Sequence, residues 1–151
     1  IAPPGIDKTL LLQNLAKKFN MPITNVNCVG SMTDFDLLGM DKLKGDETYW
    51  VDGPITKSLR ECNKHKRAMI NMSELNMLPP ETQAAFNPLL DFQNEIVLTM
   101  HNNEVIEIEE DSHYFFVASM NPDVHGINDL QEAVTDRFRG PIMRFGYPSR
   151  A

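Results

Sequence analysis

Residues 1–12 read Ile1-Ala2-Pro3-Pro4-Gly5-Ile6-Asp7-Lys8-Thr9-Leu10-Leu11-Leu12, and the fold expectation starts from this stretch. The reference pattern is G-x-x-x-x-G-K-[ST], in which glycine backbone N–H groups wrap a phosphate, a lysine neutralises it and a hydroxyl ligates magnesium. Lys8 and Thr9 fill the last two fixed positions and Gly5 lies inside the loop, but Ala2 replaces the first glycine and Asp7 the second. So altered, the pattern is a weak indicator alone, and the chain downstream has to decide its meaning.

Working outward, Leu11, Leu12, Leu15, Ala16 and Phe19 recur at helical spacing, with Lys17 and Lys18 where cations complement a helix dipole. A helix over 8–19 is expected, then a β-branched strand over 23–29 and a short helix over 35–38 capped by Thr33-Asp34. Tyr49, Trp50 and Val51 flank Lys44-Gly45-Asp46-Glu47 and predict a hairpin over 43–53. Gly53-Pro54 opens a helix to about Asn63, because proline is preorganised for a first helical turn. A buried strand is expected over 68–72. A helix from Pro80 carries Ala84, Ala85, Leu89 and Leu90, with a kink near Pro88. A second hairpin turns at Asn102-Asn103, between strands over 96–100 and 105–108. A strand over 114–119, a helix over 129–138 and a last strand over 142–145 complete the pattern. Strands alternating with helices indicate an α/β sandwich on a mainly parallel sheet.

Length and charge narrow the function. The 151 residues make one domain that buries a core without disulfide or metal. A formal charge of -7 and a pI near 5.0 argue against nucleic acid and against an anionic membrane surface, leaving a protein partner or a small ligand. Cys28 and Cys62 lack metal or redox spacing and read as buried, reduced thiols. The four histidines show no regular ligand spacing. No apolar run reaches the ~20 residues of a membrane helix and no signal peptide is visible, so a soluble, cytoplasmic chain is expected.

Polar residues follow the expected strand ends, where a parallel sheet forms its ligand crevice: Ser73-Glu74 after 68–72 and Asn121 after 114–119, with Lys8 at the loop and Arg137 late in the last helix. In these motifs and their order the chain resembles the AAA+ ATPases, in the MoxR-like branch that contains the CbbQ and NorQ activators and is related to midasin. The runs that carry the resemblance are Gly45 to Pro54, Ser73-Glu74-Leu75-Asn76 with Pro80 to Ala85, Ala118-Ser119-Met120-Asn121-Pro122, and Asp136-Arg137-Phe138. It implies a three-layer αβα P-loop NTPase core over 1–151 with two β-hairpin insertions, truncated at both ends and lacking the first strand and the C-terminal helical lid. It also implies a hexameric homo-oligomer that binds ATP with Mg2+ and remodels or activates a protein substrate.

By the same resemblance, Pro4, Gly5, Ile6, Asp7, Lys8, Thr9 and Leu10 surround the nucleotide, and Thr9 and Ser73 stand at the magnesium positions. Glu74 orients or deprotonates the attacking water, Asn121 positions that water, and Arg137 completes a neighbouring subunit's site as an arginine finger.

Two departures bear on activity. Ser73 replaces the Walker B aspartate with an uncharged hydroxyl, which lowers magnesium affinity, and Asn71 places an amide in a strand where an aliphatic is usual. Asp7 brings a carboxylate to the loop; about 4 Å from a phosphate charge it costs about 4 kcal/mol at an effective dielectric near 20, or about three decades of affinity. Asp7 also reads as an N-cap that fills the loop itself. Glu74 equally reads as a solvated turn carboxylate, Asn121-Pro122 as a turn and Arg137 as a salt-bridge residue. Two functions therefore stand open: a ring-forming remodelling ATPase with impaired hydrolysis, and a catalytically inactive scaffold or interaction module on the same fold.

Overall fold

The structure is a computed structural model and describes residues 8–91, 93–120, 132–138, 140 and 143. In chain order the elements are α1 (Lys8–Lys18), β1 (Ile23–Asn27), α2 (Asp34–Leu38), β2 (Gly39–Lys44), β3 (Glu47–Asp52), α3 (Pro54–His65) and β4 (Arg67–Ser73). A single 3-10 turn over Leu75–Met77 leads to α4 (Pro80–Ala84), α5 (Asn87–Leu90), β5 (Glu95–Leu98), β6 (Glu104–Glu107), β7 (His113–Ser119) and α6 (Glu132–Arg137). Of the expected strand over 142–145, all but residue 143 lies outside the described residues.

Three strands form a parallel sheet in the order β1-β4-β7. Parallel strands require crossovers, which α3 supplies between β1 and β4. This helix is strongly amphipathic: Ile55, Leu59 and Cys62, four and three positions apart, are all buried, and Pro54 occupies the first turn as expected. Alternation along the strands then sorts the sheet's faces. Val26, Ile70, Met72, Phe116 and Ala118 join the main core with Leu37, Leu75, Leu78, Phe86 and Val134, whereas Asn25, Asn71 and Ser73 belong to the opposite face. No residue of α1 enters that core, and α1 contacts β4 and β1, so it lies on the second face and makes the third layer.

The apolar spacing of α1 is used only in part. Ala16 is buried, but Leu11, Leu15 and Phe19 are exposed, because among the described residues the sheet stops at β7 and leaves the helix little surface to cover. The helix expected from Pro80 through Leu90 is also broken more sharply than a kink. The ring of Pro88 conflicts with the carbonyl four residues earlier, at Ala84, and α4 ends at that residue before α5 restarts with Pro88 in its first turn.

Both hairpins form. β2 and β3 pair around Gly45-Asp46, with Gly45 in the left-handed region, and β5 and β6 pair around a turn in which Asn102 and Asn103 have φ of 52° and 55°. They are joined to each other. Trp50 stacks on His101 with ring centroids 4.6 Å apart, and Arg60 of α3 donates to Asp52 at 2.8 Å on one side and to Glu104 at 2.8 Å on the other. Gly53 sits where β3 turns into α3, and a Cβ there would meet the Leu37 carbonyl oxygen at 2.3 Å. Cys28 and Cys62 are buried free thiols, as expected.

Candidate functional site

The site lies at the carboxyl end of the sheet, where the first turn of α1 meets the ends of β4 and β7. Lys8 opens α1, and its Nζ donates to the carbonyl oxygen of Met120 at 3.4 Å and lies 4.0 Å from Oε1 of Glu74. Met120 directly follows β7 and Glu74 directly follows β4, so one ammonium collects three segments far apart in sequence.

Backbone geometry helps aim Glu74. Its φ of 55° and ψ of 45° put it in the left-handed region, which costs an L-residue about 1–2 kcal/mol. The turn takes the chain out of the β4 line and starts the 3-10 turn. Its charge is also felt at Cys28: burial first, and then the negative charge of Glu74, push that thiol up to about 12. Cys28 is thus neutral, and its N–H closes the strand end by donating to the Ser73 carbonyl at 2.9 Å.

Ser73 is the last residue of β4. The Asn71 amide, buried on the same face, donates one Nδ2 proton to Ser73 Oγ at 3.3 Å and the other to Asn25 Oδ1 at 3.0 Å. The nitrogen of the amide that the sequence placed inside a strand therefore finds two partners, while its Oδ1 is buried without one. Thr9 is half-buried in the first turn of α1, and Leu10 beside it is exposed.

Arg137, in α6, lies 3.4 Å from Oδ2 of Asp91 in the same chain. Pro4, Gly5, Ile6, Asp7 and Asn121 lie outside the described residues. Of the residues singled out from sequence, the structure joins Lys8 to Glu74 and places Ser73 beside Glu74. Sequence reasoning missed the Met120 carbonyl, Asp91 and the Asn71–Ser73 link; only Asn71 carried a signal, as an amide in an apolar run.

These donors bear on magnesium. That ion is usually held by one or two carboxylates besides phosphate oxygens, whereas Ser73 supplies a neutral hydroxyl that already accepts from Asn71, and Glu74 is turned to Lys8. Among the described residues no group of three or more His, Cys, Asp or Glu side chains could hold a metal ion. The set does not fit a magnesium ion held by the protein's own carboxylates.

A lysine at the start of a helix, a carboxylate after the neighbouring strand and a third strand end beside both is a P-loop arrangement, and residues 1–138 match the AAA domain (dynein-related subfamily). The chain belongs to this family. The AAA domain is similar to the denitrification regulatory protein NirQ of Pseudomonas aeruginosa, 28% identical over 148 residues that cover 97% of this chain and 53% of NirQ. It is also similar to the protein NorQ of Paracoccus denitrificans, 29% identical over 150 residues, covering 99% of this chain and 52% of NorQ. The chain thus spans about half the length of the curated relatives it matches. Among solved structures, a candidate ATPase from Cytophaga hutchinsonii superposes with a TM-score of 0.65 at 21% identity, covering 96% of this chain and 39% of that one. This likeness establishes the αβα fold of the AAA domain. No helix among its described residues is long and apolar enough to cross a membrane.

Proposed function

We propose that residues 1–151 form one AAA+ nucleotide-binding core, which takes ATP at the carboxyl end of the parallel sheet and works in a ring-forming ATPase that remodels or activates a partner protein. The observation that carries this reading is the meeting of Lys8, Glu74 and the Met120 carbonyl, which gathers three family motifs at one point. In this reading Pro4 to Leu10 surround the phosphates and Lys8 neutralises them. Glu74 orients the attacking water, with Asn121 as its second anchor and Arg137 acting on a neighbouring subunit in a homo-oligomeric, by family hexameric, ring. A cytoplasmic protein substrate suits the acidic surface better than nucleic acid or a membrane. Asp7 and Ser73 both weaken hydrolysis, the first by charge opposite the phosphates and the second by removing the carboxylate that serves magnesium.

The test is calorimetric titration with ATP together with a turnover assay. Lys8→Ala is expected to weaken binding about 10- to 100-fold, the worth of a hydrogen bond to a charged group. ATP binding that is absent, or indifferent to Lys8→Ala, defeats the reading. The second reading, an inactive scaffold or interaction module on the same fold, is favoured by Arg137 being held by Asp91 in its own chain. It predicts binding without turnover, and no change in turnover on Arg137→Ala.

A further inference from the structure

We infer that Asn71 is a positioning residue that makes Ser73 a hydrogen-bond donor to an anionic ligand, so that the end of β4 takes the phosphates of a nucleotide directly instead of through magnesium. The inference rests on the nucleotide site proposed above and concerns how that site meets its ligand.

The chemistry follows from counting donors and acceptors. A serine hydroxyl has one proton to give and two lone pairs. The Nδ2 of Asn71 donates into one of those lone pairs at 3.3 Å, so the Ser73 proton is released to turn away from Asn71. Ser73 ends the strand and is partly exposed, whereas Asn71 is fully buried, so of the two it is Ser73 that a ligand can reach. Asn71 is itself fixed from the other side, because it donates to Oδ1 of Asn25, its registered partner on β1. The three residues make a neutral ladder from the sheet edge to the site.

The amide orientation matters, since turning Asn71 over would point Oδ1 at Ser73 and make the serine spend its proton there. Burial decides between the two. As oriented, both Nδ2 protons are used and Oδ1 is the buried atom left without a partner; turned over, the NH2 group would be the orphan. Buried donors are left unpaired more rarely than oxygens, which carry two lone pairs.

Such a hydroxyl suits an anion. A carboxylate at position 73 would repel phosphate unless a cation lay between them, whereas a hydroxyl donor attracts it with none. Ser73 and the Asn71 amide that donates to it thus act as one unit toward the ligand.

The experiment is titration of ATP into the chain in magnesium and in EDTA, for the wild type and for Ser73→Ala, Ser73→Asp, Asn71→Leu and Asn25→Ala. The wild-type affinity is expected to differ less than about threefold between the two buffers. In EDTA, Ser73→Ala is expected to weaken binding about tenfold or more, as loss of a hydrogen bond to a charged group does, and Asn71→Leu to follow it in direction. Asn25→Ala, at an exposed position, gives a milder version should Asn71→Leu fail to fold. Ser73→Asp is expected to create magnesium dependence. Wild-type binding that requires magnesium overturns this inference while leaving the nucleotide site standing. Absence of ATP binding in both buffers overturns the site itself and this inference with it.

Discussion

The ammonium of Lys8 lies 4.0 Å from a carboxylate oxygen of Glu74, across the junction of α1 and β4. Both side chains are partly exposed, at 18% and 34%, so the attraction is screened and is worth at most about 1 kcal/mol. A phosphate arriving at Lys8 competes with Glu74 for the same ammonium. Glu74→Gln is therefore expected to leave ATP affinity unchanged or raise it up to about fivefold, and to lower any turnover. Paired titration and phosphate-release measurements check both; weaker binding in the glutamine variant contradicts the competition.

The Arg137–Asp91 pair separates the two functional readings. Asp91→Asn is expected to cost less than about 1 kcal/mol in a thermal melt, since the pair is partly exposed. If Arg137 serves a neighbouring subunit, Arg137→Ala lowers turnover about a thousandfold, while Asp91→Asn removes this one ion pair and leaves turnover equal or higher. A fall in turnover with Asp91→Asn would place the arginine's role inside its own chain.

Arg60 joins the two hairpins, and its loss is expected to lower stability by about 1 kcal/mol, because its partners are solvent-accessible. The hydrogen bond from Arg60 holds the Glu104 carboxyl below the ordinary value of 4.5. A depressed carboxyl stabilises the fold above its unfolded value, and the contribution is lost as pH falls through the folded one. Melting temperature followed below pH 4.5 should fall less steeply in Arg60→Ala than in the wild type.

Cys28 gives the opposite sign at alkaline pH. Its thiol rises from 9.0 to about 12 in the fold, through burial and the Glu74 charge, so its contribution is complete below about pH 9 and is lost as pH rises towards 12. Cys28→Ala should flatten that part of a stability profile, and the wild-type thiol should resist alkylation until the chain is unfolded.

Two glycines are expected to respond differently. A methyl at Gly53 meets the backbone of Leu37 at 2.3 Å, whereas one at Gly30 meets nothing nearer than 3.6 Å. Gly53→Ala should cost at least about 1–3 kcal/mol, the usual range for overpacking, and Gly30→Ala should be nearly neutral. Denaturant melts compare them directly.

The local part of this fold could be read from the chain itself. Pro54 after Gly53, the apolar spacing of Ile55, Leu59 and Cys62, Gly45 in one turn and Asn102-Asn103 in the other each act over a few residues, and the helices and hairpins appear where those signals stand. The order of Lys8, Ser73-Glu74 and Arg137 likewise pointed to the family. What remained hidden depends on which strands become neighbours. The order β1-β4-β7 puts Asn71 beside Asn25, 46 positions away, and brings Met120 to Lys8, 112 positions away. It also leaves Leu11, Leu15 and Phe19 exposed although their spacing promised a buried face. Periodicity states that a helix has an apolar side but not how much surface awaits it. The sequence by itself determined most of the elements, the turn chemistry and the family, but not the break between α4 and α5. Only the tertiary structure decided that Glu74 faces Lys8, that Asn71 holds Ser73 and that Asp91 holds Arg137, because these contacts follow from sheet order and register, which no local signal encodes.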